Sequence, residues 1–264
     1  DYTLDIGLDG IVTRNGEDSY RGVVSADKKL LINTLSLDSG ASFRLQISQL
    51  QGATYSMDDL VGDWNFHSLR SGSGAQWRHG VERIDISGSV ERVSLLDSSG
   101  DDIPGLSYAV LMDSSGVITR TDLASFQGFM SQDKKLIVIT RSNQTDDGYR
   151  LEIMQKQGGT FSMNDLAGNW NFHSLRSGSS SKWRNGVEQI DSAGNVTRGS
   201  LIDSGGDIVP GLAFNLVMDA AGVVTRADVA SFHGVMSEDK KLIVMTRSTD
   251  GGGAFRLELF QKAE

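Results

Sequence analysis

The stretch SMDDLVGDWNFHSLRSGS at residues 56–73 returns as SMNDLAGNWNFHSLRSGS at residues 162–179. A second stretch, SFQGFMSQDKKLIVITRS (125–142), returns as SFHGVMSEDKKLIVMTRS (231–248). Both are displaced by 106 positions (162 − 56 and 231 − 125), and the same offset aligns 54–158 with 160–264 without a gap. About 60 of the 105 aligned pairs are identical. Copies this close each fold as one unit, so the repeat sets the architecture before any local reading begins. The offset also lays SYRGVVSADKKLLINT (19–34) over SFQGFMSQDKKLIVIT. The chain therefore divides into a half-repeat (1–53) and two full repeats (54–159 and 160–264).

Within a repeat, short runs alternate between apolar and polar residues and are separated by turn residues, the pattern of antiparallel β structure. Tyr149, Leu151 and Ile153 face one way while Arg150 and Glu152 face the other. Eight strands are expected in the first full copy: Asp63–Ser71, Trp77–Ile86, Ser89–Asp97, Leu106–Met112, Val117–Leu123, Phe126–Ser131, Lys135–Ser142 and Tyr149–Lys156. The turns between them (SGSGAQ, SG, DSSGDDIPG, DSSG, AS, QDK and NQTDDG) carry the Gly, Asn and Asp that hairpins use. Pro104 and Pro210 occupy equivalent loop positions, where no ladder N–H is lost. No segment sustains a 3.6-residue period, so the fold class is all-β.

Eight hairpin-linked strands bury both sheet edges by closing into an up-and-down barrel. The entry to each repeat bears on that closure. Met57-Asp58-Asp59-Leu60 reads as one capping turn, and Gly62-Asp63-Trp64 leads into the first strand. This resembles the short helix and G-x-W entry of lipocalin-like, calycin-type barrels. The resemblance implies that Trp64 and Trp170 plug a barrel floor under an arginine, drawn from Arg150 and Arg256 or from Arg141 and Arg247. It also implies a barrel able to hold an apolar ligand. The WNFHSL start and the F-x-G-x-M-S-x-D-K strand are similar to tandem β units of large secreted or surface proteins of bacteria, which implies a place outside the cell. The competing architecture is a five-bladed β-propeller, since five half-repeats of 53 residues make 265. The halves of one repeat resemble each other only around I-D-x-S-G-x-V-x-R and M-D-S-S-G-V-I-T-R, and 21 strands are one too many for five blades.

Composition closes off other classes. With 34 acidic against 25 basic side chains the formal charge is −9, opposite in sign to a phosphate-backbone binder. No cysteine is present, which removes disulfides, thiolate nucleophiles and cysteine metal sites. No apolar run approaches the roughly 18 residues of a membrane-spanning helix. The N-terminus DYTLDIGLDG has neither a basic nor an apolar leader segment, so it reads as a mature start or a fragment. The only basic cluster is D-K-K, at Asp27-Lys28-Lys29, Asp133-Lys134-Lys135 and Asp239-Lys240-Lys241, which reads as a solvated hairpin tip.

Candidate site residues are few. His67 and His173 are equivalent, whereas His79 faces Asn185 and His233 faces Gln127 in the other copy. With Trp64 and Phe66 inward, strand alternation sends Asn65 and His67 outward. The expectation is a hydrogen-bonded strand histidine, because a histidine metal site needs converging ligands. Trp77 and Trp183 follow Gly/Ser-rich loops and are candidate rim platforms for stacking a sugar or a neighbouring subunit. With His67 and His173 they make up the ligand-binding candidates. Asp97, Asp101, Asp203 and Asp207 lie in oxygen-rich loops and are calcium candidates, although hairpin chemistry explains the same residues and the EF-hand spacing is missing. No catalytic residue is identified: G-x-S-x-G, H-E-x-x-H, Walker and G-x-G-x-x-G patterns are all missing. The expected function is non-enzymatic: an extracellular structural protein that self-associates through residues 1–53 by strand sharing, into filaments or a surface layer. The alternatives are a lipocalin-like binder of an apolar ligand and a lectin-like glycan-binding module.

Overall fold

The computed structural model describes residues 2–105, 107–142, 147–211 and 213–263. The described residues form three units. Unit 1 is an open antiparallel sheet of β1 (Leu4–Ile6), β2 (Ile11–Arg14), β3 (Glu17–Val24), β4 (Leu30–Leu37) and β5 (Ser42–Gln49), in that order. Unit 2 begins with the turn α1 (Met57–Leu60) and continues through β6 (Gly62–Arg70), β7 (Gln76–Ile84), β8 (Ser89–Asp97), β9 (Tyr108–Ala109), β10 (Leu111–Met112), β11 (Val117–Thr119), β12 (Gln127–Met130), β13 (Leu136–Ser142) and β14 (Tyr149–Lys156). Unit 3 repeats this with α2 (Met163–Leu166), β15 (Gly168–Gly178), β16 (Lys182–Ile190), β17 (Asn195–Asp203), β18 (Phe214–Asn215), β19 (Val217–Met218), β20 (Val223–Thr225), β21 (His233–Met236), β22 (Leu242–Thr249) and β23 (Ala254–Lys262).

Units 2 and 3 are nearly closed barrels, not propeller blades. The first and last strands of each pair with each other, β6 with β14 from Trp64↔Lys156 to Arg70↔Arg150, and β15 with β23 likewise. The one break falls between β9 and β10. The strand expected over Leu106–Met112 bends at buried Val110, pairing with β8 before the bend and with β11 after it. Val110 N–H donates to Gly88 O at 2.9 Å, which carries the β8–β9 ladder up to the bend. Leu106 and residues 143–146 of the NQTDDG turn lie outside the described residues. β8 and β14 match their expected bounds, and the other strands differ at their ends. Unit 1 supplies the counterparts of the last five strands only, as the offset implies, and among the described residues β1 and β5 are the edges of its sheet.

The entry turn explains how each barrel starts. Ser56 N–H donates to the Asp59 carboxylate at 2.9 Å and Ser162 N–H to Asp165 at 2.8 Å, satisfying donors at the helix start. Trp64 and Trp170 are fully buried, and each indole N–H donates to the carbonyl four residues earlier, Leu60 at 2.7 Å and Leu166 at 2.8 Å. The cation over each ring is a lysine, not the expected arginine: Lys156 Nζ lies 5.4 Å from the Trp64 ring and Lys262 Nζ 5.3 Å from Trp170. A lysine reaches here because it sits at the end of the last strand, where it also donates to Asp59 O or Asp165 O at 3.0 Å. Arg150 and Arg256 are buried deeper in the wall and donate to Ser68 and Ser174 at 3.0 and 3.1 Å. Arg141 and Arg247 pair with Glu152 and Glu258 at 2.8 and 2.9 Å.

Both barrels are filled. Trp64, Phe66, Phe126, Met130, Ile137 and Met154 are among the side chains that occupy unit 2, and unit 3 is filled in the same way. Unit 1 has a smaller inner cluster of Val12, Tyr20 and Leu35. Its inner face also carries Asn33, bonded to Gln46 at 2.9 Å, where unit 2 has Ile139 opposite Glu152.

A third core lies between the units. The outward faces of β4, β5, β13, β14, β22 and β23 meet through Ile32, Leu45, Leu136, Val138, Val244 and Leu257, among others. The contacts are cyclic. Gln49 donates to Leu136 O, Gln155 to Leu242 O and Gln261 to Leu30 O, each at 3.4 Å. The units thus stand in a ring, 1 to 2, 2 to 3 and 3 to 1. The D-K-K turns meet at one end of this ring, where Lys135 pairs with Glu238 at 3.2 Å and Lys241 with Asp27 at 3.8 Å. Lys134 and Lys240 reach back to Asp59 and Asp165 at 2.9 and 3.0 Å, so these tips tie turns together beyond standing in solvent.

Neighbouring strands cross closely at Gly80 in unit 2 and at its equivalent Gly186 in unit 3. A Cβ on Gly186 would stand 1.9 Å from Ser200 O, beside a register shift between Gly186 and Glu188. A Gly186→Ala variant should lose about 1–3 kcal/mol through forced backbone displacement. Gly211→Ala, whose new Cβ would meet Arg198 Cβ at an ordinary 3.7 Å, should change stability little. Urea unfolding of the two variants checks this; equal midpoints would sink the account of the close crossing.

Candidate functional site at the seam between units

Strand alternation directs His67 and His79 outward from barrel 2, where the β6–β7 ladder places them directly opposite each other. The ring arrangement then sets β21 and β22 of unit 3 against them. His67 Nε2 and His233 Nδ1 are 3.1 Å apart, one ring donating to the other. His79 stacks on His233 with centroids 3.7 Å apart and planes 5° from parallel, and Trp77 stacks on the other side of His79 at 5.2 Å. Three histidines from two repeats thus form one cluster, in which His79 and His233 stack and His67 lies tilted 35° to His233. The short contact between His67 Nε2 and His233 Nδ1 is a hydrogen bond, which turns these two nitrogens toward each other and not toward a common metal position. Among the described residues no group of three or more His, Cys, Asp or Glu side chains is arranged to hold a metal ion.

Trp77 and Trp183 take up equivalent places in two seams. Trp77 is 4% exposed and donates to Ser248 Oγ at 2.9 Å; Trp183 is 2% exposed and donates to Ser36 Oγ at 2.9 Å. Both stack against a neighbouring unit of their own chain, and neither offers a free face to a sugar. His173 occupies the seam between units 3 and 1, where it meets Asn185 Nδ2 at 3.3 Å with no second histidine beside it. The four aspartates stay in their turns. Asp97 accepts from Ser99 N–H at 2.9 Å, and Asp203 accepts from Gly205 N–H at 3.0 Å while pairing with Lys182 at 2.8 Å. Asp101 O accepts from Asp97 N–H at 3.1 Å and Asp207 O from Asp203 N–H at 3.0 Å, which closes the same loops.

A cleft of about 330 Å³ opens beside the stack, lined by His79 and Val81 from unit 2, by His233 and Met236 from unit 3, and by Gln157 and Gly158 of the connecting segment. Its volume falls in the range of small-molecule sites. Inside the unit 2 barrel a space of about 10 Å³, room for one water, lies among Arg78, Glu82, Arg92 and Tyr108.

The electrostatics follow from burial. Burial pulls His79 and His173 from 6.5 to about 3 and His233 to about 4, and burial followed by repulsion from His233 and His79 pulls His67 well down. Inside the barrels burial has the opposite consequence for acids, raising Glu82 and Glu188 from 4.5 to about 7. Glu82 is further raised by Glu152 and accepts the Tyr108 hydroxyl at 2.8 Å.

The histidine stack was not read from the sequence, but a signal for it exists. His79 and His233 are two positions where the repeats differ, and both differences fall on the same seam.

No family model matches the chain, and no curated protein matches it in sequence. Three solved structures resemble it in part. One is a protein of unknown function from the DUF3598 family of Nostoc punctiforme, 10% identical, covering 78% of this chain and 97% of that one, with a TM-score of 0.29. The others are transferrin binding protein B of Haemophilus parasuis and of serogroup B Neisseria meningitidis. Both are 9% identical and cover 99% of this chain with TM-scores of 0.35. The chain spans 60% and 59% of those two proteins. At these scores the likenesses carry no functional inference.

The imidazoles and carboxyls make opposite contributions to acid stability. The four histidines stay neutral in the fold while the unfolded chain protonates them below 6.5, so their contribution is present above that pH and lost as pH falls toward 4. Glu82 and Glu188 stay protonated in the fold up to about 7, so their contribution is present below 4.5 and lost as pH rises through 7. Between about pH 6 and 5 the balance is four protons to the unfolded chain less two to the fold. Stability should therefore fall by roughly 3 kcal/mol per pH unit on acidification. The double variant His79→Asn, His233→Gln, which installs the residues found in the sister copies, should flatten that slope. Urea midpoints at pH 7.5, 6 and 5 measure it, and an unchanged slope would locate the acid sensitivity elsewhere.

Proposed function

We propose that this is a non-enzymatic structural protein whose repeats exist to pack against one another, and that it works outside the cell as an assembly unit. The observation carrying this reading is where the repeat places its specific groups. Trp77, Trp183, Gln49, Gln155 and Gln261 all bond across seams between units, while the barrel interiors are packed with side chains. Assembly proceeds through the open half-unit, where β5 is a sheet edge among the described residues, a natural template for a further strand. The extracellular placement rests on the likeness of WNFHSL and F-x-G-x-M-S-x-D-K to tandem units of secreted bacterial proteins.

A second reading is favoured by one feature, the cleft beside His79 and His233. It is large enough for a small, partly apolar ligand held between units instead of inside a barrel. Saturable uptake of a hydrophobic fluorophore, lost in His79→Asn, His233→Gln, would favour this binder.

The assembly reading predicts species heavier than the 28.5 kDa chain in light scattering after chromatography, growing with concentration and visible as extended particles by electron microscopy. A strictly monomeric species across a hundredfold concentration range would overturn it.

A further inference from the structure

The barrel end away from Trp64 carries an ionic layer that contact between units does not use. In unit 2 Arg78, Glu82, Arg92, Arg141 and Glu152 border the space of about 10 Å³ inside the barrel. Arg150 joins them by donating to Ser68, which stands opposite Arg78 in the β6–β7 ladder. Unit 3 repeats all six charged positions as Arg184, Glu188, Arg198, Arg247, Glu258 and Arg256.

Four guanidinium groups of unit 2 thus meet two carboxylates. Glu152 pairs with Arg141 at 2.8 Å and stands 3.8 Å from Arg150 Nε. Glu82 is 3.6 Å from Arg92 Nε, past hydrogen-bond reach, and accepts the Tyr108 hydroxyl. Arg78 makes no ion pair among the described residues, and Asp97 and Glu152 attract it only from farther off. The Nε atoms of Arg78, Arg92 and Arg150 are all buried without a hydrogen-bond partner, and Arg150 as a whole is 3% exposed. Burial, then repulsion from Arg92 and Arg141, lowers Arg78; burial pulls Arg150 from 12.5 to about 9 against the attraction of Glu152.

Unit 3 shows what sets unit 2 apart. Arg198 Nε donates to Glu188 at 3.0 Å, whereas its counterpart Arg92 Nε is left over beside Arg78. A water between the two would satisfy their N–H groups and leave the buried positive charge uncompensated. We infer that unit 2 holds one monovalent anion of chloride size in this space, accepting hydrogen bonds from Arg78 and Arg92. Room for a single water-sized body suits a halide and is too small for a tetrahedral oxyanion. Bonds from a guanidinium to an anion are charge-assisted and stronger than bonds to water. Glu82 lies beside the seat, but burial raises it to about 7, so below neutrality it opposes the anion weakly.

The test follows urea unfolding of the full chain near pH 6 while sodium chloride replaces sodium gluconate at constant ionic strength. One specific ion should raise the folded-to-unfolded ratio by about tenfold for each tenfold increase in chloride above its dissociation constant. Arg78→Met removes an unpaired charge, so in gluconate it should be at least as stable as the parent, and chloride should add nothing. Arg184→Met, the same change in unit 3, should keep the parent's chloride gain. Crystals of the parent grown in bromide should show an anomalous peak between Arg78 and Arg92, a readout that needs no variant. A ratio indifferent to chloride, or bromide found only on the surface, would overturn the site. Loss of the gain in Arg184→Met and not in Arg78→Met would overturn its placement in unit 2.

Discussion

The second-to-last strand of each full repeat is apolar on both faces, and the rest of the molecule follows from that constraint. Ile137 and Ile139 point into barrel 2 while Leu136 and Val138 point away from it, and all four are buried. A strand of this kind has no stable place in the wall of a solitary barrel facing water. Burying each outward leucine or valine contributes roughly 2 kcal/mol, and that surface is covered only when units meet. The barrels and their ring are therefore one folding problem. The central core that joins the units is built from the strands that also close the barrels.

Apolar contact brings units together without choosing their register. The polar groups around the core do that. Each glutamine at the end of a last strand reaches the next unit's leucine carbonyl, and the indole N–H groups of Trp77 and Trp183 each find a serine hydroxyl. A slip of one residue would leave these groups buried and unbonded, at about 1–3 kcal/mol each. The histidine stack goes further by making one seam unlike another. His79 and His233 meet between units 2 and 3, whereas Asn185 and Arg21 hold the corresponding positions between units 3 and 1. Two seams with the same shape and different chemistry favour their own partners.

The interior of the fold was legible in the sequence and its exterior contacts were not. Alternation marks the strands because one face of each is dry, and β14 can be read to the residue. The run Leu136–Ile139 is unbroken in its apolarity, the mark of a strand covered on both sides. Trp77 and Trp183 read as rim residues because a glycine-rich loop precedes them. Sequence spacing carries no information on what a neighbouring unit places over a ring. Lys156 escaped notice as the cation over Trp64 because its role depends on where the last strand ends, and strand ends are the part of a sequence reading with least physical signal. The split at Val110 was hidden for a related reason, since a bend that changes partners keeps the same hydrophobic pattern.

The Gln-to-carbonyl bonds run in one direction around the ring, so each seam joins two different surfaces and the sequence of seams returns to its start after three units. Closure of that kind counts. A fourth repeat has no seat in the same ring and must begin another, so a longer tandem array of this unit would be organised in threes, with any remainder left as an open wedge. Gain or loss of single repeats by recombination would then be uneven in its effect, tolerated in multiples of three and exposed otherwise.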